Sequence, residues 1–317
     1  MKRTTFRGTW VLVALAAAGL WYGLYWFYRV PPAVKQSQGF EFSTSGPMDG
    51  GIPSITAPVF ESTAEADQYL NDEGFGLDVE VDGEHKFYPY QILIWHEAVN
   101  DMIGDVPVIV TYAPLTDTGM AFERSVNGEV LAFSVSGSLW NNNLVLLDEK
   151  TGSRWIQLYG RAVEGEMTGT ELRPALARTM AWASWKSAFP NGDVLSRETG
   201  VSRDYTRNPY DNYVATPAIW FPITSVDARM NAKSVAYVVS VGSERVAYPE
   251  DALRQVGKIQ ETVAGVPIEV RYDEKLETAF ANRLEPDGNA GDELVMTRGF
   301  WFAWSAAYPG IRLYETP

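Results

Sequence analysis

Residues 77–122 read LDVEVDGEHKFYPYQILIWHEAVNDMIGDVPVIVTYAPLTDTGMAF, and residues 237–282 read YVVSVGSERVAYPEDALRQVGKIQETVAGVPIEVRYDEKLETAFAN. Set against each other without a gap at an offset of 160, at least ten positions agree, among them Tyr88, Pro89, Pro107, Tyr112 and Thr118 against Tyr248, Pro249, Pro267, Tyr272 and Thr278. Self-similarity at a fixed spacing is the mark of a repeated structural unit. The copies meet again where Trp182, Trp185 and Pro190 answer Trp301, Trp304 and Pro309 at an offset of 119. The two offsets differ by 41, so the first copy holds 41 extra residues, which fall between about Ser125 and Thr179. A functional elaboration is expected there, because the second copy does without it.

Each copy opens with alternating apolar residues around a tight turn, Asp82-Gly83 in the first, which predicts a hairpin. Pro89 or Pro249 follows where a helix favours proline, at its first turn. Gly257 marks the end of that helix in the second copy, which places His96 and Glu97 at the helix end in the first. Gly104-Asp105, Asn127-Gly128 and Ala264-Gly265 predict further turns, and residues 179–189 read as a short Trp-bearing helix. The expected fold is α+β: mainly antiparallel β hairpins with short helices, one unit duplicated in tandem, following an N-terminal transmembrane helix. The expected organisation is a cytoplasmic tip and anchor at residues 1–33, a linker at 34–51, a first, elaborated unit at 52–225 and a second, shorter unit at 226–317.

The anchor is read from residues 9–28, twenty residues without a charge, which as a helix at about 1.5 Å per residue would cross about 30 Å of hydrocarbon. Trp10 stands near one end and Trp21, Tyr22, Tyr25, Trp26 and Tyr28 crowd the other, as rings do at the headgroup boundary. Lys2, Arg3 and Arg7 precede the span and only Arg29 follows closely, which predicts a single-pass protein at the cell membrane, N-terminus cytoplasmic and bulk extracytoplasmic. A cleaved signal peptide fits less well, since its apolar region runs only about 7–15 residues. Residues 30–51, carrying Pro, Ser, Gly and Gln, read as a tether.

Without Lys2, Arg3, Arg7 and Arg29, the remaining 22 basic residues face 40 acidic ones, a balance of −18. Such a surface argues against nucleic acid as a partner, and it suits saline or alkaline surroundings as well as simple solubility. The absence of cysteine removes disulfides, thiol nucleophiles, thiolate-held zinc and iron–sulfur clusters. With His85 and His96 the only imidazoles, no metal site is expected, and any metal would rest mainly on carboxylates. Nothing in the sequence names a cofactor, a ligand or a protein partner.

His96 and Glu97, followed by Asn100 and Asp101, gather an imidazole and two carboxylates within six residues, a grouping that general acid-base catalysis uses. A lone histidine at a helix end also serves as a cap or a packed hydrogen-bonder. The second copy has Val256-Gly257 and Glu261 at the corresponding places, so the cluster belongs to the first copy alone. Residues 113–117 predict a tight loop at a strand end, with Thr116 and Thr118 as weak nucleophiles that would need an activating base. Ser136 and Ser138 are weaker still, and Asn141, Asn142 and Asn143 are expected to supply turn hydrogen bonds. Trp140 and Trp155 are available to line a carbohydrate or aromatic site, whereas Trp182 and Trp185 recur in the second copy and read as core. Residues 203–210 look like a strap across the junction of the copies.

Six ordered segments carry a family likeness: GIPSI at Gly51, YPYQILIWHEAVND at Tyr88, VTYAPLTDTG at Val110, SGSLWNNNLVLLD at Ser136, SRWIQ at Ser153 and RDYTRNPY at Arg203. Together they resemble the family called domain of unknown function 3179. In that family the segment matching YAPLT usually has a cysteine, in some members selenocysteine, after the tyrosine, and often another three residues on. The resemblance therefore implies a redox or thiol role. Here those positions are Ala113 and Thr116, and a methyl group is neither a nucleophile nor a ligand. The expected function is a membrane-anchored extracytoplasmic binding or scaffolding module with a degenerate redox-type site. Asn100, Ala113, Thr116, Thr118, Ser136, Asn143, Asp148, Trp155 and Gln157 are its candidate binding residues. The alternative is an enzyme using His96 with Glu97 or Asp101 as an acid-base pair. The Ala113 loop is expected at the mouth of a cavity with His96 within reach, as a vestigial or repurposed site; a pocket holding His96, with Ala113 and Asp148 or Gln157 close by, favours the enzyme, and a solvated surface position for His96 favours the module.

Overall fold

The computed structural model describes residues 40–44 and 51–316, and the backbone of Val34–Ser37. The span expected at residues 9–28 lies outside the described residues, and among those described no helix is long and apolar enough to cross a membrane. The chain is mostly β, in several antiparallel sheets with a few short helices, an α+β arrangement.

The largest sheet has eight strands, in the order Phe60–Ser62, Asp193–Leu195, Glu84–Pro89, Phe75–Val81, Arg173–Ala181, Thr118–Glu123, Val106–Ala113 and Ala98–Ile103. The Val106–Ala113 strand is covered on both faces, which is why it reads as a nearly unbroken apolar run. Its Val108, Val110 and Tyr112 pack with Leu77, Tyr88 and Leu93, while Ile109 and Ala113 pack on the other face with Phe133, Leu146 and Trp155. Asp82 and Gly83 both have positive φ, 52° and 83°, as a two-residue hairpin turn of this hand requires. Pro89 is the N-cap of the Tyr90–His96 helix, one residue before its first turn. Glu97 ends that helix in the left-handed region at φ 56°, where the Glu250–Val256 helix ends on Gly257 at φ 74°.

Residues 235–313 run strand, strand, helix, strand, strand, strand, and, after the intervening strand Ala290–Leu294, strand, helix, strand; residues 75–195 keep this order around the longer insertion at that place. The pairings correspond as well. Ala98 faces Thr111 and Ala113 faces Thr118; at 160 residues further on, Lys258 faces Arg271 and Asp273 faces Thr278. These strands form two four-stranded sheets rather than one continuous sheet, because Ala290–Leu294 takes the place beside Thr278–Leu284.

Four strands of the extra residues join two from the N-terminal side in a separate six-stranded sheet, in the order Val34–Ser37, Phe40–Thr44, Phe133–Trp140, Asn143–Asp148, Arg154–Ile156 and Arg161–Glu164. The linker reading of residues 34–51 is thereby corrected in part. Phe40–Thr44 pairs with Phe133–Trp140, and Phe42 is fully buried with the Arg154 guanidinium 5.1 Å from its ring centre. Phe-Glu-Phe alternates as an edge strand should, but its partner lies some ninety residues away in the chain. One core cluster joins this sheet to the C-terminal part, with Leu115, Trp140, Ile156 and Tyr213 against Phe300, Trp301 and Trp304.

Candidate functional site

The 113–118 loop is locked from every side. Thr116 N–H donates to the Ala113 carbonyl at 3.2 Å, and Asp117 takes φ 53° to turn the chain into the next strand. Asn143 from the added sheet and Gln157 from the short 3-10 helix after its Arg154–Ile156 strand reach in from one side. Asn143 Nδ2 donates to Gln157 Oε1 at 2.7 Å and to Thr116 Oγ1 at 3.2 Å, and Thr118 Oγ1 donates to Gln157 Oε1 at 2.8 Å. Gln157 Nε2 donates to Thr111 Oγ1 and to the Thr118 carbonyl, each at 2.9 Å. From the other sides, Tyr213 donates to the Leu115 carbonyl and Phe300 N–H to the Thr116 carbonyl. Both atoms of the Gln157 amide and of the Asn143 amide are thus used, so the network holds shape rather than offering a reactive group. The structure does bring Ala113, Thr116, Thr118, Asn143 and Gln157 together.

It sends His96 elsewhere. The Glu97 carbonyl accepts from Tyr112 N–H at 2.9 Å, so the two backbones are neighbours. The His96 ring, however, is fully buried between Pro53 and Tyr205. Its Nδ1 lies 2.7 Å from the Pro53 carbonyl, an acceptor only, so Nδ1 carries the proton; Nε2 then accepts from the Tyr205 hydroxyl at 2.7 Å. Burial, with the Pro53 bond opposing and the Arg203 charge assisting, holds the ring below its ordinary pKa, hence neutral. Glu97 is buried too, and burial pushes its carboxyl up to about 7 against the opposing hydrogen bond from Tyr210, at 2.6 Å. The expected reach from His96 to a cavity at Ala113 is therefore corrected: both ring nitrogens are committed to the N-terminal segment and the strap.

The other candidates hold the scaffold. Asn100 exchanges two 2.8 Å hydrogen bonds with the Phe133 backbone and so fastens the added sheet to the Ala98–Ile103 strand. Asp101 accepts from Tyr88 at 2.6 Å and from Lys86 at 3.0 Å; Tyr248 and Glu261 repeat the tyrosine–carboxylate bond 160 residues on, at 2.7 Å. Asp148 accepts from the Trp155 indole and from Thr151 and Ser153, and these bonds outweigh burial to keep its pKa below the usual range. Ser136 donates to the Val145 carbonyl across the same sheet. Asn141 and Asn142, both left-handed, grip Thr224 and Phe221 rather than only turning the chain.

Beside the loop, on the opposite face of the strand from Ala113, lies a cavity of about 480 Å³. Tyr90 and Tyr112 stack in its wall with centroids 3.8 Å apart and planes 16° apart, and Phe75, Phe87 and Trp182 extend the aromatic lining. Gly119 makes room for this: a Cβ there would stand 2.4 Å from the Tyr90 hydroxyl and 2.8 Å from Leu77. Tyr112 donates to Asp117 Oδ1 at 3.1 Å, and Asp117 Oδ2 pairs with Arg298, which reaches across from the C-terminal part. The strap supplies Tyr205, Thr206, Arg207 and Asn208 to the rim. At the two offsets Tyr90 aligns with Glu250 and Thr179 with Arg298, so the earlier segment lacks charges there that the later one carries. That asymmetry was the signal available for this site, together with Asp117 and the strap.

The family model described as protein of unknown function (DUF3179) matches residues 49–311. The chain belongs to the DUF3179 family. No curated protein and no solved structure matches it. Three of the six DUF3179-like segments, those beginning at Tyr88, Val110 and Arg203, meet in the lining of this one cavity through Tyr90, Tyr112, Asp117 and Arg207.

Proposed function

We propose that this DUF3179 chain is a membrane-anchored, extracytoplasmic binding module that takes a small molecule into the aromatic cavity and uses no thiol chemistry. The observation that carries the reading is the cavity itself. Its volume falls within the roughly 300–1,000 Å³ typical of small-molecule sites, and it combines an aromatic wall with polar and charged groups at Gln91, Asp117, Arg207, Asn208 and Arg298. The position of the family's thiol holds Ala113, packed in a core on the far face of the strand. The 113–118 network supports a scaffolding part for the degenerate site, since it holds Tyr112 and Asp117 in place. Ligand-observed NMR with a fragment library tests it: hits should appear with the wild-type chain and vanish in Ile94→Trp, which fills the cavity. Hits that survive that variant would place binding elsewhere.

Glu97 is the one observation favouring an acid-base enzyme, since a carboxyl near 7 is poised for proton transfer. Its burial, and the Tyr210 hydroxyl closing over it, weigh against that reading. We also read residues 52–225 and 226–317 as one unit duplicated in tandem, supported by their common element order and register. The anchor at residues 9–28 rests on the apolar span and its flanking charges. Protease added to right-side-out vesicles should digest the bulk of the chain and leave a short membrane-held fragment; full protection would refute the orientation.

A further inference from the structure

In the first part, residues 51–62 reach both ends of the eight-stranded sheet. Ile55 bridges Val99 in parallel, its N–H donating to the Ala98 carbonyl at 2.9 Å and its carbonyl accepting from Asn100 N–H at 2.8 Å. The same segment then forms the sheet's first strand, Phe60–Ser62, antiparallel to Asp193–Leu195. Its Pro53 covers His96, which is fully buried. The C-terminal part keeps the strands and lacks the segment. Lys258–Val263 and Arg312–Leu313 each end a four-stranded sheet, and among the described residues no backbone group pairs with their outer sides. Lys258 faces Arg271 as Ala98 faces Thr111, so by the same register the Lys258 carbonyl and the Gln260 N–H point outward. Val256 stands where the first part has His96. It is 41% exposed, the one large apolar side chain left so among the described residues from Val235 on. Residues 211–222, which the offset of 160 sets against 51–62, are fastened elsewhere: Tyr213 donates to the Leu115 carbonyl and Phe221 N–H to Asn142.

We infer that the Lys258–Val263 edge takes up an extended segment of another protein as a parallel strand, with an uncharged, aliphatic side chain of that segment laid beside Val256. The inference rests on the shared register of the two parts and is independent of the cavity. In strand addition the main-chain hydrogen bonds supply affinity and the alternating side chains supply specificity. Pro53, Ser54 and Ile55 give the chemistry of the occupant: no charge, a proline that holds the residue before it extended, and one aliphatic side chain, buried at Ile55. A second copy of the chain is the poorer fit. Its own residues 51–62 are engaged, and Lys258, with its side chain 58% exposed, is the kind of edge residue that hinders edge-to-edge pairing.

The synthetic peptide GIPSITAPVFES, the chain's own residues 51–62, is the probe, titrated into the full chain in nanodiscs with a scrambled peptide as comparison. It should bind by isothermal titration and slow amide exchange at Gln260, and the scrambled peptide should do neither. Gln260→Pro removes an outward N–H that the ladder to Val266–Asp273 does not use, and should weaken binding about tenfold or more. Gln260→Ala keeps that N–H and should change binding by less than about threefold. Val256→Asp sets a charge against the aliphatic side chain and should weaken binding about tenfold. Val256 and Gln260 are both exposed, so the melting temperature should hold in these variants. If Gln260→Pro melts early, Val256→Asp decides. No binding at millimolar peptide, or binding that survives both Gln260→Pro and Val256→Asp, overturns the inference. A dimer of the chain that dissociates in Gln260→Pro would make a second copy the occupant and overturn it as well.

Discussion

Ala113 and Glu97 stand at the two ends of what a residue's surroundings do to its chemistry. Ala113 packs among apolar side chains, and the neutral His96 ring is tied to Pro53 and Tyr205. A thiol introduced by Ala113→Cys would feel burial without a cation to favour its thiolate, so titration with a thiol reagent should give a pKa above about 8.5, the unperturbed figure. A value below that would mean that the loop rearranges to bring a donor or a positive charge to the sulfur. Glu97 is the reverse case, a carboxyl raised from 4.5 to about 7. Its folded pKa exceeds the unfolded one, so its contribution is fully present below pH 4.5 and is lost as pH rises through 7, a fall of about 3 kcal/mol at most. Glu97→Gln should remove that fall, so the difference between wild-type and variant stability should shrink below pH 4.5 and favour the variant by up to about 3 kcal/mol above pH 7. A pH-independent difference would show that the carboxyl titrates normally. Its left-handed backbone, which costs a non-glycine residue about 1 kcal/mol, adds to the reasons for asking what keeps a glutamate there.

At the scale of elements, the hairpins were legible because their turns are local: Asp82-Gly83, Asn127-Gly128 and Ala264-Gly265 all take the positive φ that their sequence predicts. The short helices were legible from Pro89 and Gly257. Phe40–Thr44 was read as tether because five residues carry little periodicity and the strand they pair with is remote. The added residues of the first part supply Asn143 and Gln157 to the loop. Gln157→Ala should leave Thr111, Thr118 and Asn143 with lost partners in a buried place and cost about 3 kcal/mol by denaturant unfolding. A loss under about 1 kcal/mol would mean that water enters and replaces the amide.

For the whole molecule, the cavity escaped the sequence because its charged floor is assembled from Asp117 and Arg298, 181 residues apart. Each looks ordinary alone; Asp117 reads as a turn residue and Arg298 as a strand residue on a half-buried face. The C-terminal part also closes the core, with Phe300, Trp301 and Trp304 packed against Leu115 and Tyr213. Residues 226–317 expressed alone should therefore expose a large apolar face and fail to give a cooperative melt, whereas the full chain melts as one body; an independent sharp transition for the fragment would overturn this. The Asp117–Arg298 bridge has a kinetic corollary. A ligand lodged in the cavity, against Arg298 and Tyr90, would tie a loop of one part to a strand of the other, so its presence would be felt as slower opening of their seam. Amide protons of Thr297, Gly299 and Phe300 would exchange more slowly on occupancy, by up to about a hundredfold when ligand stands a hundred times above its dissociation constant.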